Sequence, residues 1–365
     1  MPRQVARSGN KAARIVMTRP RRKPALHDGA AASSQILHPL VDRLATWLGE
    51  SRHPTTIGEE RNEQQSGRVI AVGSGKGGVG KTLVSSSIAL GLAEHSGQRV
   101  VAIDVDLGGA NLHTGLGIKR PSFALNRFIL EKAPLRELSA SSGFDGLEFV
   151  SGASDIIGLA EFDESDRKRF LHELAGFREE TLVLDLGAGS SLFNLDLFST
   201  AREGILVTTT EPTAVQNAYG FLRAAIFRRL RLLYQAEDRL LYMVEDAANH
   251  RGDDDTDSIP RLIQRVSKFN RSAAARLEEL IDQLRIGLVV NMAKTREAAR
   301  VADSLARAVR QYLGVRMSYL GSVDFDTSVR RSVCEWRPLV VHFPTARAAR
   351  RLVSVAAKVG NHIEM

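Results

Sequence analysis

Residues 68–323 predict a mostly parallel, doubly wound α/β sheet flanked by helices. Three observations lead there. Short apolar runs alternate with helical segments, beginning with "RVIAVGS" at 68–74. The runs are largely apolar instead of alternating with polar residues, as strands covered on both faces must be. A glycine-rich loop ending in Lys-Thr joins the first strand to the first helix, the junction where such sheets hold phosphate. No internal repeat interrupts the pattern.

Residues 1–66 read as an N-terminal extension, and 67–360 as one nucleotide-binding domain. Arg3, Arg7, Lys11, Arg14, Arg19, Arg21, Arg22 and Lys23 stand against one early acid, Asp28. With few apolar residues among them no core can form, so this stretch reads as a largely disordered basic tail. It is either a solvated tail or an arm for anions. In "SQILHPLVDRLATWLG" (34–49), Ile36, Leu37, Leu40, Val41, Leu44, Trp47 and Leu48 recur at helical spacing. Ser34 can cap this short amphipathic helix and Gly49 can stop it; Pro39 falls near the first turn, where it is tolerated. The helix either docks on the domain or is offered to a protein partner. Residues 50–66 are polar and read as a linker.

Further elements follow in order. "TLVSSSIALGLAEHSG" (82–97) has helical spacing and a glycine end. Strands are expected at 99–106, 146–152, 180–187, 204–212, 286–293 and 318–323, with helices between them. The interval 220–285 breaks the rhythm with two or more helices. Inside it, Asp253, Asp254, Asp255 and Asp257 lack the spacing and terminal Glu of a calcium loop, and read as a solvated loop.

Composition sets outer bounds. The 365 residues are 43% hydrophobic and 25% charged, with net charge +8. A basic balance favours anionic partners without choosing among nucleic acid, acidic lipid and nucleotide. Cys334 is the single cysteine, which excludes an intrachain disulfide and a cysteine-held metal cluster within one chain, and fits a cytoplasmic location. No apolar run approaches the roughly 18 residues of a membrane span. The basic N-terminus has no apolar core behind it and does not read as a secretory signal.

The loop from Gly75 to Thr82, "GKGGVGKT", satisfies G-x4-G-K-[ST]. Gly75, Gly77, Gly78 and Gly80, with Val79 between them, let backbone N–H groups curl around phosphates. The helix start adds its partial positive charge. Lys81 is placed to bridge β- and γ-phosphates and the Thr82 hydroxyl to coordinate Mg²⁺. Leu83 follows in the same segment. "VLDLGAG" supplies Asp185 at a strand end, with Gly187 close behind for the γ-phosphate; "AIDVDLGGAN" supplies Asp104 and Asp106. Asp104 reads as a strand-end residue, whereas Asp106 can reach outward to attacking water or the metal. The loop carries a second lysine, Lys76, which phosphate binding alone does not require.

These motifs, with "DVDLGGANLHTGLGI" (104–118) and "DLGAGSSLFNLDLF" (185–198), resemble the MinD/ParA family of P-loop ATPases. "EPTAVQNAYGFLRA" (211–224), "VVNMAKTREAARVADSLARAVRQYLGV" (289–315) and "YLGSVDFDTSVRRSVCEWRPLV" (319–340) are similar to its MinD-like branch containing FlhG (YlxH, FleN), which regulates flagellar number and placement. The resemblance covers roughly 68–358. It implies that Lys76 reaches the nucleotide of a partner subunit in a face-to-face dimer holding two ATP. It implies a slow, switch-like ATPase in which Asp106 orients water, Asp185 holds the magnesium shell and Asn291 hydrogen-bonds adenine. Glu211-Pro212-Thr213 would lie near the nucleotide or the dimer seam. Leu83 stands where the family often has a second Thr, and Leu186 replaces a small or polar residue. The N-terminal segment lacks the DQAxxLR motif of many FlhG proteins.

Two basic segments bear on partners. The resemblance implies a C-terminal amphipathic helix at the inner face of the membrane, and the candidate is "TARAARRLVSVAAKVGNHIEM". Its apolar residues are Ala and Val more than Phe or Trp, so it reads as a final helix packed on the sheet. Weak membrane contact through two copies is the alternative. "FLRAAIFRRLRLLYQ" (221–235) sets Arg223, Arg228, Arg229 and Arg231 against Leu222, Ile226, Leu230 and Leu233. It reads as an amphipathic helix whose basic outer face is solvated, serves a partner, or binds DNA through phosphates as in ParA. The leading expectation is an ATP-dependent regulator of placement; DNA partition and soluble antagonism of a regulatory partner are the alternatives. A metal-cluster carrier is disfavoured by the one cysteine.

Overall fold

The computed structural model describes residues 67–361 except 97–98, 122–124, 153–161, 178–179 and 250–257. The basic tail, the 34–49 helix and the acidic run at 253–257 lie outside the described residues. The strands are β1 (Arg68–Ser74), β2 (Val100–Val105), β3 (Ala140–Phe144), β4 (Leu147–Val150), β5 (Thr181–Ala188), β6 (Glu203–Thr208), β7 (Arg285–Val290) and β8 (Met317–Ser322). They form one sheet in the order β3-β4-β2-β5-β1-β6-β7-β8. All neighbours are parallel except β3 and β4. The expected doubly wound sheet is therefore present. The antiparallel edge strand β3 was not anticipated, because "ASSGF" carries no apolar run and is only partly buried.

Helices of eight residues or more are α1 (Lys81–Ser96), α2 (Glu164–Leu174), α3 (Leu192–Thr200), α4 (Pro212–Leu233), α5 (Asp238–Asn249), α6 (Ile259–Phe269), α7 (Arg271–Asp282), α8 (Thr295–Ala308), α9 (Thr327–Glu335) and α10 (Arg347–Gly360). Within β1 the faces alternate: Val69 and Ala71 enter one core, Ile70 and Val72 the other. That is why its sequence is apolar at both parities. The first core is lined by α2–α8, the second by α1 and α10.

The basic segment at 221–235 is more inward-facing than its sequence implies. On α4, Arg228 pairs with the buried Asp196, Arg229 donates to the Ser199 carbonyl at 2.9 Å, and Arg223 donates to the carbonyls of Ala247 and Ala248. These arginines, with Arg231, are at most half-exposed, so the expected basic outer face is largely spent within the chain. The causes are α3, which carries Asp196 and Ser199, and α5, which returns across α4 and offers Arg223 its carbonyl oxygens.

Helix α10 docks on α1 as the sequence reading favoured. Ala348, Ala349, Leu352, Val355, Ala356 and Val359 are buried, and a Cβ at Gly91 of α1 would lie 2.6 Å from the Ala356 Cβ. Arg68 binds Glu203 through two bonds of 2.8 and 2.7 Å and also donates to the Val359 carbonyl. Lys358 donates to the Leu320 carbonyl at 2.8 Å. Exposing Leu352, Val355 and Val359 together would cost roughly 5 kcal/mol at ordinary burial values. Among the described residues no helix is long and apolar enough to cross a membrane.

Candidate functional site

The carboxyl ends of β2, β5 and β1 lie side by side, with β5 between the other two. Strand order reverses about this centre, where open α/β sheets hold ligands. The loop from Gly75 to Gly80 leaves β1 there and delivers Lys81 as the first residue of α1. Two glycines are demanded by the fold. A Cβ on Gly75 would fall 1.9 Å from the Asn217 carbonyl oxygen of α4, and Gly80 has φ +90° with the Asn291 amide where its Cβ would be. Gly77 and Gly78 are exposed and leave their backbone open. Ser74 ties the loop down: its hydroxyl donates to the Lys76 carbonyl at 2.8 Å, and its own carbonyl accepts the Gly189 N–H at 3.2 Å.

Three charges converge behind the loop. Lys81 is 7% exposed and Asp185 1%. Burial lowers the Lys81 pKa, opposed by the charges of Asp185 and Asp106. Burial pushes the Asp185 carboxyl up to about 6, opposed by hydrogen bonds from Thr82 and Ser85 and by the Lys81 charge. Asp106 lies beside Gly187, whose Cβ position is 3.3 Å from Asp106 Oδ1, and it accepts the Gly108 N–H at 3.1 Å. Asp104, fully buried, accepts the Asp106 N–H at 3.1 Å and the Leu112 N–H at 2.9 Å. It thereby fixes both ends of the loop that carries Asp106. Burial, then the charge of Asp185, raises its own pKa.

Ser85 was not among the expected residues. Its hydroxyl lies 2.8 Å from Asp185 Oδ1 and 3.1 Å from the Lys81 carbonyl. Its place four residues after Lys81, on the same helical face, was the available signal. Leu83 packs against the core shared with α10 and Leu186 is fully buried in the opposite core. Both departures from the family pattern are thus packing residues here.

Asn291 faces the loop. Its Nδ2 donates to the Val79 carbonyl at 2.8 Å, its Oδ1 accepts the Met292 N–H at 2.9 Å, and the residue is 1% exposed. The left-handed turn at Met292, φ 54°, leaves that side chain half-exposed instead. Asn291→Ala should strand the Val79 carbonyl and lower the stability of the nucleotide-free chain by about 1–3 kcal/mol, measurable by chemical denaturation. The other loop lysine, Lys76, is half-exposed and pairs with Glu211 at 2.8 Å.

The residues fit a magnesium nucleotide. Asp185 is an ionisable group buried against a hydroxyl-bearing helix start. Among the described residues no three His, Cys, Asp or Glu side chains are disposed to hold a metal by themselves.

Fold and loop together define the class: a P-loop nucleotide-binding protein with a second lysine in the loop. Residues 70–339 match the family model described as the CobQ/CobB/MinD/ParA nucleotide binding domain, and the chain belongs to this family. It is 26% identical over 295 residues to the antiactivator FleN of Pseudomonas aeruginosa, covering 80% of this chain and 86% of that protein. It is 31% identical over 166 residues to the flagellum site-determining protein YlxH of Helicobacter pylori, covering 43% and 53%. Among solved structures, the cell division ATPase MinD of Pyrococcus furiosus superposes with a TM-score of 0.52 at 21% identity, covering 81% of this chain and 99% of that one. The chain is a MinD/ParA-family P-loop protein close to the FlhG branch.

Proposed function

We propose that the chain is an ATP-dependent, dimerising switch with slow ATPase activity, which regulates the placement or number of a cellular assembly. The observation that carries this is the two-lysine loop: Lys81 buried between Asp106 and Asp185, and Lys76 half-exposed at the rim. In this reading the loop N–H groups and Lys81 hold the ATP phosphates. Thr82 and Asp185, with Asp106 nearby, would hold Mg²⁺, whose charge offsets that of the phosphates. Asp106 orients the attacking water and accepts its hydrogen bond, while Gly187 lets the backbone approach the γ-phosphate. Lys76 supplies charge to the partner's nucleotide, as an arginine finger does. Asn291 braces the loop; contact with adenine would need its amide to turn outward.

The likeness to FleN, named an antiactivator, supports a second reading: a soluble antagonist that binds a regulatory protein in the ATP form. The docked α10 favours it over membrane attachment through that helix, because its apolar face is committed to the core. DNA partition is less favoured. All but about one unit of the net charge of +8 lies in the first 30 residues, and the α4 arginines are engaged. Sedimentation of Asp106→Ala protein with ATP or ADP tests the family of readings. ATP-dependent dimerisation is expected. Parallel tubes with anionic liposomes and duplex DNA then sort the surfaces: ATP-dependent pelleting with lipid restores the peripheral-membrane reading, with DNA the partition reading, and with neither the soluble antagonist.

A further inference from the structure

The contact between Lys76 and Glu211 joins two rigid positions. Glu211 is the residue before α4, with Pro212 opening the helix. In the second turn of α4, the Asn217 carbonyl abuts Gly75 so closely that no side chain fits there, so the helix packs directly on the phosphate loop. The Glu211 carboxylate sits at a helix N-terminus, where negative charge is favoured, and 2.8 Å from the Lys76 ammonium. The Lys76 backbone is held by Ser74, leaving only the four-carbon stem free to swing. The carboxylate is 64% exposed, and among the described residues its one side-chain partner is Lys76.

We propose that Glu211 is a cis latch on Lys76. In the nucleotide-free protomer it holds the lysine against its own chain, and the lysine must leave it before reaching a partner's nucleotide. The latch rests on the reading above, that Lys76 acts across a dimer. It sets a threshold: dimerisation opens two latches, one per protomer, so a small bias in each is squared in the dimer constant. An exposed pair of this kind biases its own equilibrium about twofold to threefold, and two together about fivefold.

The test is the concentration dependence of dimerisation by analytical ultracentrifugation with ATP and Mg²⁺, comparing the full chain with Glu211→Gln in an Asp106→Ala background. The variant is expected to dimerise at about fivefold lower concentration, at ATP levels that titration with a fluorescent ATP analogue shows to saturate both proteins. Its advantage should shrink at about 0.5 M salt, where an exposed ion pair is screened and a merely structural effect is not. Equal or weaker dimerisation of Glu211→Gln, or a salt-independent difference, overturns the latch. If the parent chain forms no dimer with ATP, the switch reading fails first and the latch falls with it, an outcome distinguishable from the others.

Discussion

Mixing two inactive variants should restore activity. Lys76→Ala is expected to retain ATP binding but lose at least about a hundredfold in turnover, since charge supplied in trans is worth at least that much in comparable phosphoryl transfer. Asp106→Ala should be similarly inactive and remain dimeric with ATP. In a mixed dimer, the site on the Lys76→Ala protomer keeps its own Lys81, Asp106 and Asp185, and receives the intact Lys76 of its neighbour. The other site lacks both groups. Equal mixing should therefore return about one quarter of wild-type turnover: half the dimers are mixed and each has one complete site. No recovery on mixing would mean that Lys76 works on its own nucleotide, and the dimeric switch would lose its central feature. That result has a structural route, because the half-exposed Lys76 ammonium rests on Glu211 of its own chain.

Much of this could be read from sequence because local rules and tertiary context agree around the loop. "VIAVGSGKGGVGKT" opens apolar at both parities, so β1 had to lie inside a sheet, and two of its glycines, Gly75 and Gly80, sit where the Asn217 backbone and the Asn291 amide leave no room for a Cβ. The strand-end aspartates were legible because a charge after three apolar residues has few other uses. What escaped depended on distant partners. Strand β3 exists because β4 offers it an edge, not because "ASSGF" favours a strand. The α4 arginines look solvated in sequence and become inward ligands once Asp196, Ser199 and α5 approach. Asn291 ends an apolar strand, as a base-reading residue would, yet its amide is used by a carbonyl 212 residues away. Ser85 was hidden among Ser85, Ser86 and Ser87; only the first bonds Asp185, while the other two hydroxyls return to the Leu83 carbonyl.

Asp185→Asn should flatten the pH dependence of stability and abolish stabilisation by Mg²⁺ and ATP. Burial pushes the Asp185 carboxyl from 3.8 to about 6. Between about pH 4 and 6 the folded nucleotide-free chain keeps a proton that the unfolded chain has released. Stability must then fall as pH rises through that window and stay low above it, by about 2–3 kcal/mol for a shift of this size. Asn cannot ionise and still accepts from Ser85, so this contribution to the slope should vanish. Lys81 loses one of two anionic neighbours in the variant, which lowers its stability at every pH where Asp185 would be charged. The slope, not the absolute melting temperature, is therefore the informative quantity. With Mg²⁺ and ATP the ranking separates further: a ligand that binds only the folded chain raises its melting temperature by mass action, and the variant should lack that rise. Thermal melts from pH 4.5 to 8, with and without magnesium nucleotide, read both effects. A variant that keeps the wild-type slope would place the costly buried charge elsewhere, with Asp104 the next site to replace. A variant that gains the full nucleotide shift would remove Asp185 from the surroundings of the metal.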